Sequence, residues 1–308
     1  MPVLLEEVLR ELQVRQGGVY LDGTVGAAGH SREILSRFDD TQVIGLDKDS
    51  AILGLTRRSL GSFGGRAQLY NMDFRQMETA AKDSGIGKVN GIILDLGVSS
   101  FQLDTGERGF SFSHDGPLDM RMDPAGDLTA EEVVNSYSRD DLKKILKQFG
   151  EEKQAGRIAS AIVRERKIEP IRTTKRLSGI VCGVPGMGRV RSIHPATRTF
   201  QAIRIEVNDE LNALNEVLPV AVDLLTVEGR LAVISFHSLE DRIVKRSFRR
   251  MENPCVCPSQ LPYCTCGEMP LGRVVTKRPI IPGESEREEN PRSRSAKLRV
   301  FERRPSES

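Results

Sequence analysis

No apolar run in the 308 residues approaches the roughly 20 needed to cross a bilayer, which excludes a membrane-spanning helix. Met1 to Leu12 form an acidic amphipathic stretch without the basic start, apolar core and small-residue cleavage site of a signal peptide, so a cytoplasmic location is expected. Cysteine is scarce, at five residues, and a reducing compartment disfavours disulfides among them. What remains, 38% apolar and 29% charged residues, is the composition of an ordinary globular protein. The length exceeds the usual single domain and calls for one large domain with an insertion, or two domains.

A net charge of +2 conceals an uneven distribution. Residues 1–154 carry 18 Lys and Arg against 25 Asp and Glu, whereas residues 155–205 carry 11 against 2 and residues 240–308 carry 15 against 10. Two basic regions on a mildly acidic body suit the neutralisation of phosphates and point to a polyanionic partner. A solvated basic face is the alternative.

The first hundred residues alternate short Val/Ile/Leu-rich runs (Val19–Asp22, Gln42–Asp47, Ala67–Tyr70, Gly91–Leu96) with segments of helical spacing. That rhythm predicts a parallel sheet with crossover helices on both faces. It breaks near Phe101, where a Gly/Ser/Asp/Pro-rich loop leads to helices after Ser138, over Lys153 to Lys167, and after Thr173. Gly183–Gly188 reads as a turn ahead of Arg189–Ile193. His194-Pro195 is expected to open one long helix reaching Leu225 and ending near Gly229. Strands over Arg230–Phe236, Arg273–Lys277 and Ala296–Glu302, with a helix over Ser238–Met251, complete a sheet of seven. The predicted architecture is α/β, a discontinuous seven-stranded methyltransferase-type core (1–103 and 206–308) interrupted by a mostly helical insertion (104–205).

The loop after the first strand, Asp22 to His30, has glycines at 23, 26 and 29, which bring backbone N–H groups against a ligand at the sheet edge. It misses the G-x-G-x-x-G spacing of a dinucleotide site. Asp47 ends the second strand where a carboxylate accepts the hydroxyls of a ribose, a feature shared by NAD and S-adenosylmethionine. Asp73 and Phe74 after the third strand offer an acid and a ring to an adenine, and Asp95 ends the fourth. Four consecutive strand-end acids suit a cationic sulfonium better than a pyrophosphate; helix capping is the competing role for each.

Several long strings in unbroken order now resemble the RsmH (MraW) family of bacterial 16S rRNA cytosine-N(4) methyltransferases: Asp22–Ser31, Ile93–Gln102, Glu107–Asp123, His194–Ile205, Ile234–Lys245 and Asn290–Ser295. The resemblance implies a class I (Rossmann-like) core with an inserted substrate domain. It also implies S-adenosyl-L-methionine as cofactor, and methylation of the 4-amino group of cytosine 1402 in the decoding region of 16S rRNA, within the small ribosomal subunit. Carried over position by position, the cofactor contacts fall on Ala28, Gly29, His30, Asp47, Phe74, Asp95 and Gln102. Ala28 stands where many relatives have Gly.

A cytosine amine is a poor nucleophile and needs acceptors for its N–H groups as it meets the methyl group in line. Many amine methyltransferases place Asp or Asn before Pro-Pro-aromatic here. This chain has Asp95-Leu96-Gly97-Val98, so the acceptor falls to Asp95 and the stacking ring must come from elsewhere. Phe110, Phe112 and Phe236 are the candidates for stacking, core packing being the alternative for each. His237 and Asp241 are the further catalytic candidates, and Arg198, Arg204 and Arg242 are candidates for phosphates or base orientation, against structural ion pairs. A non-catalytic RNA-binding factor on the same fold is the competing class of function. Finally, Cys255-x-Cys257 and Cys264-x-Cys266 form a cluster able to hold a structural zinc, although C-x-C pairs are tighter than the common C-x₂-C. No role in methyl transfer is expected of it.

Overall fold

The structure, a computed structural model, describes residues 2–187, 194–258, 263 and 265–305. Arg189–Ile193 and Cys264 lie outside the described residues. The chain divides into two compact units, Met1–Gly97 with Leu211–Ser308, and Val98–Glu210. These bounds differ from 104–205 at both ends, because Ser99 already caps a helix counted with the second unit and the final helix of that unit continues to Asn208.

The first unit is built on seven strands: β1 (Val19–Asp22), β2 (Gln42–Leu46), β3 (Ala67–Tyr70), β4 (Val89–Asp95), β5 (Leu225–Ser235), β6 (Gly272–Val274) and β7 (Lys297–Arg303). They lie in the order β3-β2-β1-β4-β5-β7-β6, with β1 to β5 parallel and β7 antiparallel to both neighbours. This is a mixed α/β sheet with helices packed on both faces. Its strand order reverses between β1 and β4, the place where an open parallel sheet leaves a crevice at its carboxyl edge.

The helices in chain order are α1 (Leu5–Leu12), α2 (Gly29–Arg37), α3 (Ser50–Leu60), α4 (Met77–Asp83), α5 (Ser100–Asp104), α6 (Ala130–Ser136), α7 (Arg139–Gln148), α8 (Ala155–Arg166), α9 (Thr174–Cys182), α10 (Thr197–Asn208), α11 (Glu210–Leu224), α12 (Ser238–Glu252) and α13 (Glu284–Glu289). Strand residues alternate between two apolar clusters. Ile92, Leu94 and Val233 pack with α4, α11 and α12, while Ile93, Ala232 and Ile234 pack with α1, α2 and α3. Burial on both faces is why these strands read as continuous apolar runs. At the far side of β5, Arg230 (8% exposed) donates to Glu302 (3% exposed) at 2.9 and 3.1 Å, and Arg273 donates to the same carboxylate. These bonds hold Glu302 below the usual carboxylate range against the opposing effect of burial.

The second unit is helical around its own cluster, from Phe110 through Val133, Leu142, Ile158 and Leu177 to Ile203. Asn208 fastens its loop by accepting from Met122 N–H at 2.7 Å and donating to the Met120 carbonyl at 2.8 Å. The long helix predicted from Pro195 to Leu225 is two helices. Asp209 adopts φ 51°, ψ 35°, a left-handed conformation that ends α10 before α11 begins. The second of them also stops at Leu224 and passes directly into β5, well short of Gly229.

Candidate active site

Backbone hydrogen bonds stitch the loop after β1 to the ends of β2 and β4. Gly23 N–H donates to the Ile93 carbonyl at 3.0 Å, Val25 N–H to the Leu46 carbonyl at 2.9 Å, and Asp95 N–H to Thr24 Oγ1 at 2.6 Å. A side chain at Gly23 would bring its Cβ to 2.6 Å from Leu94 Cδ2 and 3.2 Å from Phe74 Cβ, so the loop closes only over glycine and lies beside Phe74. Ala28, fully buried, takes φ 67° and ψ 23° at the N-cap of α2. A left-handed residue is the position glycine fills at least strain, which accounts for the Gly expected there. At Gly29 a Cβ would stand 2.5 Å from Pro2 Cγ.

The strand-end acids divide by what already holds them. Asp22 is buried and fully engaged, accepting from Thr24 N–H at 3.2 Å and from Ser31 Oγ at 2.6 Å. Burial pushes its pKa up to about 6, against those two bonds. Asp73 caps the short turn Phe74–Gln76, accepting from Arg75 N–H at 2.9 Å, and pairs with Lys48 at 3.7 Å. Capping, the alternative role, thus describes Asp73, whereas Asp22 is tied within the loop after β1 and to the Ser31 hydroxyl.

Asp47 is different. Each of its oxygens accepts one backbone N–H, from Gly26 at 3.0 Å and Asp49 at 2.9 Å, which leaves each a further lone pair for a hydroxyl. Burial raises its pKa to about 6, opposed by those same N–H groups. Asn71 donates to the Asp47 carbonyl at 2.9 Å and steadies the strand end.

Asp95 is the least satisfied. Its Oδ1 is buried without a hydrogen-bond partner among the described residues, and Oδ2 lies 3.9 Å from His30 Nδ1. Burial first, then the carboxylates of Asp22 and Glu240, push its pKa up to about 8. His30 cannot neutralise it. Burial drives that imidazole down to about 4, despite its bond with the Val3 carbonyl at 3.0 Å. Just beyond, Gly97 sits at φ 94°, and a Cβ there would lie 3.8 Å from Phe236 Cδ2. The Phe236 ring thus lies beside the chain just after β4, at the end of β5, where Ile234 pairs with Asp95.

The other candidates are placed as follows. His237 caps α12, its side chain accepting from Glu240 N–H at 3.4 Å, while Glu240 Oε2 accepts from Phe236 N–H at 2.8 Å and His237 N–H at 3.2 Å. Asp241 pairs with Arg299 at 2.6 Å and Lys297 at 3.3 Å, and these bonds hold its carboxyl below the usual range against burial. Arg242 is exposed on α12. In the second unit Gln102 is buried in a reciprocal cap with Ser99, and Phe110 is buried in the apolar cluster. Phe112 stacks on His194 with centroids 4.3 Å apart and meets Phe200 edge-on at 5.2 Å. Arg204 makes a two-pronged pair with Glu210, both contacts 2.8 Å, and Arg198 is exposed. Spacing along the chain does not single out Thr24, Asn71, Lys48 or Pro2.

A basic cleft opens in the second unit. It has a volume of about 1310 Å³ and is lined by Arg139, Lys153, Arg157, Arg164 and Arg176, with Glu165 the one acid among the described lining residues. Arg139 pairs with Asp140, Arg164 with Glu165 and Arg176 with Glu169, on or near the surface. Lys153 and Arg157 have no acidic partner among the described residues. Exposed ion pairs of this kind contribute little to stability.

Comparison with known proteins bears on both units. A family model described as the MraW methylase family matches residues 1–304. The chain is 50% identical over 304 residues to the protein named Ribosomal RNA small subunit methyltransferase H of Carboxydothermus hydrogenoformans, covering 98% of this chain and 97% of that one. It is likewise 50% identical over 306 residues to the protein of the same name from Acetivibrio thermocellus, covering 98% of each. Among solved structures, a putative methyltransferase from Streptococcus mutans in complex with SAH aligns with a TM-score of 0.43 at 10% identity, covering 98% of this chain and 99% of that one. Matched from end to end by one family model and sharing half its residues with these relatives, the chain belongs to the MraW methylase family.

Proposed function

We propose that this chain transfers a methyl group from S-adenosyl-L-methionine to the exocyclic 4-amino group of a cytosine, cytosine 1402 in the decoding region of 16S rRNA, in the small ribosomal subunit. Membership of a methylase family supports the reaction class, and the names of the relatives support small-subunit rRNA as the substrate. The observation that carries the chemistry is Asp95, a carboxylate at the central strand end with one buried oxygen unpartnered among the described residues, two residues before Gly97, which faces the Phe236 ring.

The residues present fit the cofactor. Asp47 has lone pairs free for two ribose hydroxyls, Phe74 offers a ring beside Gly23, and the backbone of Ala28 and Gly29 lines the turn. The Asp95 carboxylate, close to those of Asp22 and Glu240, meets a cationic sulfonium at lower cost than it meets those like charges alone. When bound, that group supplies an electrophilic methyl.

Everything else falls to the protein. Phe236 gives the base a face to lie against, and ionised Asp95 accepts an N–H of the amine, drawing its lone pair out of conjugation. Once methylated, the amine itself carries the positive charge, beside the carboxylate that accepts its N–H. The amine sheds that proton to Asp95, whose affinity for it is raised by burial and by the nearby carboxylates of Asp22 and Glu240, so one group serves as hydrogen-bond acceptor and then as base. His237 and Asp241 act as positioning residues, holding α12 and its neighbouring strand. The second unit's cleft, with Arg198, supplies phosphate contacts that fix register without reading sequence.

The test is direct. Small subunits from a strain lacking the gene are incubated with the purified protein and S-adenosylmethionine labelled in the methyl group, and the modified nucleotide is mapped. Label at N4 of one decoding-region cytosine is the expected result. Cofactor binding without label in rRNA overturns the proposal.

A further inference from the structure

The segment between α12 and β6 is held at both ends. Leu271 N–H donates to the Met251 carbonyl at 2.9 Å and Val274 N–H to Glu252 Oε1 at 2.8 Å. Between these ties, none of the described residues joins an apolar cluster, and Val256, Tyr263 and Met269 are exposed. Among its described residues, hydrophobic burial does not organise this loop.

Its cysteines nevertheless converge. The Sγ atoms of Cys255, Cys257 and Cys266 lie within 4.8 Å of one another, and none is in a disulfide. Thr265 N–H points at Cys257 Sγ at 3.3 Å, and the Thr265 hydroxyl lies 3.5 Å from the same sulfur. Backbone N–H groups directed at sulfur favour the thiolate, the form in which cysteine binds a metal. Three thiolates this close repel one another unless a cation lies between them. With Zn–S near ~2.3 Å, the sulfurs of a tetrahedral site stand roughly 3.8 Å apart, so the observed cluster needs to contract by at most about 1 Å.

We propose that Cys255, Cys257 and Cys266 hold a thiophilic divalent cation, zinc foremost, as a structural clip that closes the loop between α12 and β6. Soft thiolates select zinc over the hard cations magnesium and calcium. Each thiol that ligates gives its proton to solvent, and no electron transfer is involved. Structural sites are closed by a fourth ligand, and Cys264, two residues ahead of Cys266, lies outside the described residues. The clip is distinct from the strand-end acids and takes no part in methyl transfer.

The full-length protein, reduced and stripped of metal, is titrated with cobalt(II). The expected result is one cobalt per chain, with the thiolate-to-metal absorption and intense visible bands of a sulfur-rich tetrahedral site, all displaced by zinc. Cys257→Ser with Cys266→Ser abolishes those bands, whereas Cys182→Ser, in the other unit, keeps them. S-adenosylhomocysteine affinity, measured on the same samples, stays within about twofold of the parent, which shows the double variant folded and separates this test from the methyl-transfer reading. A spectrum reporting three or four thiolates satisfies the proposal. Fewer than three, no absorption in reduced protein, or bands that persist in the double variant overturn it.

Discussion

The two units handle charge in opposite ways. In the first, acids are drawn to the ends of β1, β2 and β4, where burial raises Asp22 and Asp47 to about 6 and Asp95 to about 8. In the second, cations line the open walls of a cleft, and those with partners have exposed ones. A buried carboxylate with an unpaired oxygen costs stability until a ligand satisfies it, whereas a solvated arginine costs almost nothing and waits for phosphate. The contrast separates a small site of clustered carboxylates from a broad surface of solvated cations. It predicts tight, shape-dependent recognition in one and salt-sensitive recognition in the other.

Four measurements break or sharpen that contrast. The largest effect belongs to Asp95→Asn, which keeps shape and removes the acceptor charge. Turnover on small subunits should fall about 100- to 1000-fold, the scale of a lost transition-state contact, with RNA affinity unchanged. A fall in RNA affinity of the same size would merge the two sites. Asp47→Ala should weaken S-adenosylhomocysteine binding about 100-fold in calorimetry, from two charge-assisted hydrogen bonds, again sparing RNA.

The third measurement is of pH. Folded pKa values raised above the unfolded ~3.9 contribute stability that is complete below that value and is lost as pH rises through about 6 and about 8. The ligand-free melting temperature should therefore decline from pH 5 to 8.5. Asp95→Asn should flatten the upper part of that decline, and a sulfonium ligand should bind up to about tenfold more tightly per pH unit while releasing protons. A decline unaltered in the variant would remove Asp95 from the account. Smallest is reversal of two cleft charges, Lys153→Glu with Arg157→Glu. RNA affinity should drop about tenfold, with the salt slope shallower by about 2, while cofactor affinity holds.

Much of the fold was legible because its strands are buried on both faces, so β1 to β4 announce themselves as apolar runs. The break at Asp209 was not, since Asn208-Asp209-Glu210 contains neither Gly nor Pro and the apolar spacing runs through it. That miss hid a second feature, because the Arg204–Glu210 pair spans the break and forms only when the helix ends there. The strand-end acids were legible as a set, but their division was not. Thr24, Ser31 and Arg75 engage Asp22 and Asp73 through turns whose geometry no spacing rule specifies. His237 is the reverse case, since Glu240 three residues on is the spacing of a capping box, readable from residue order alone. The contact of Pro2 with Gly29 joins segments with no sequence signal in common.

The late arrival of β5 also has a cost during synthesis. β4 ends at Asp95, and its partner does not begin until Leu225, after the whole second unit has been made. At ribosomal speeds of about 5–20 residues per second, the hydrogen-bonding edge of β4 stays open for roughly ten seconds while the helical unit is able to condense. An open apolar strand is a template for pairing with other chains. The nascent protein therefore passes through an interval in which aggregation, or capture by a chaperone, competes with completion of its own sheet.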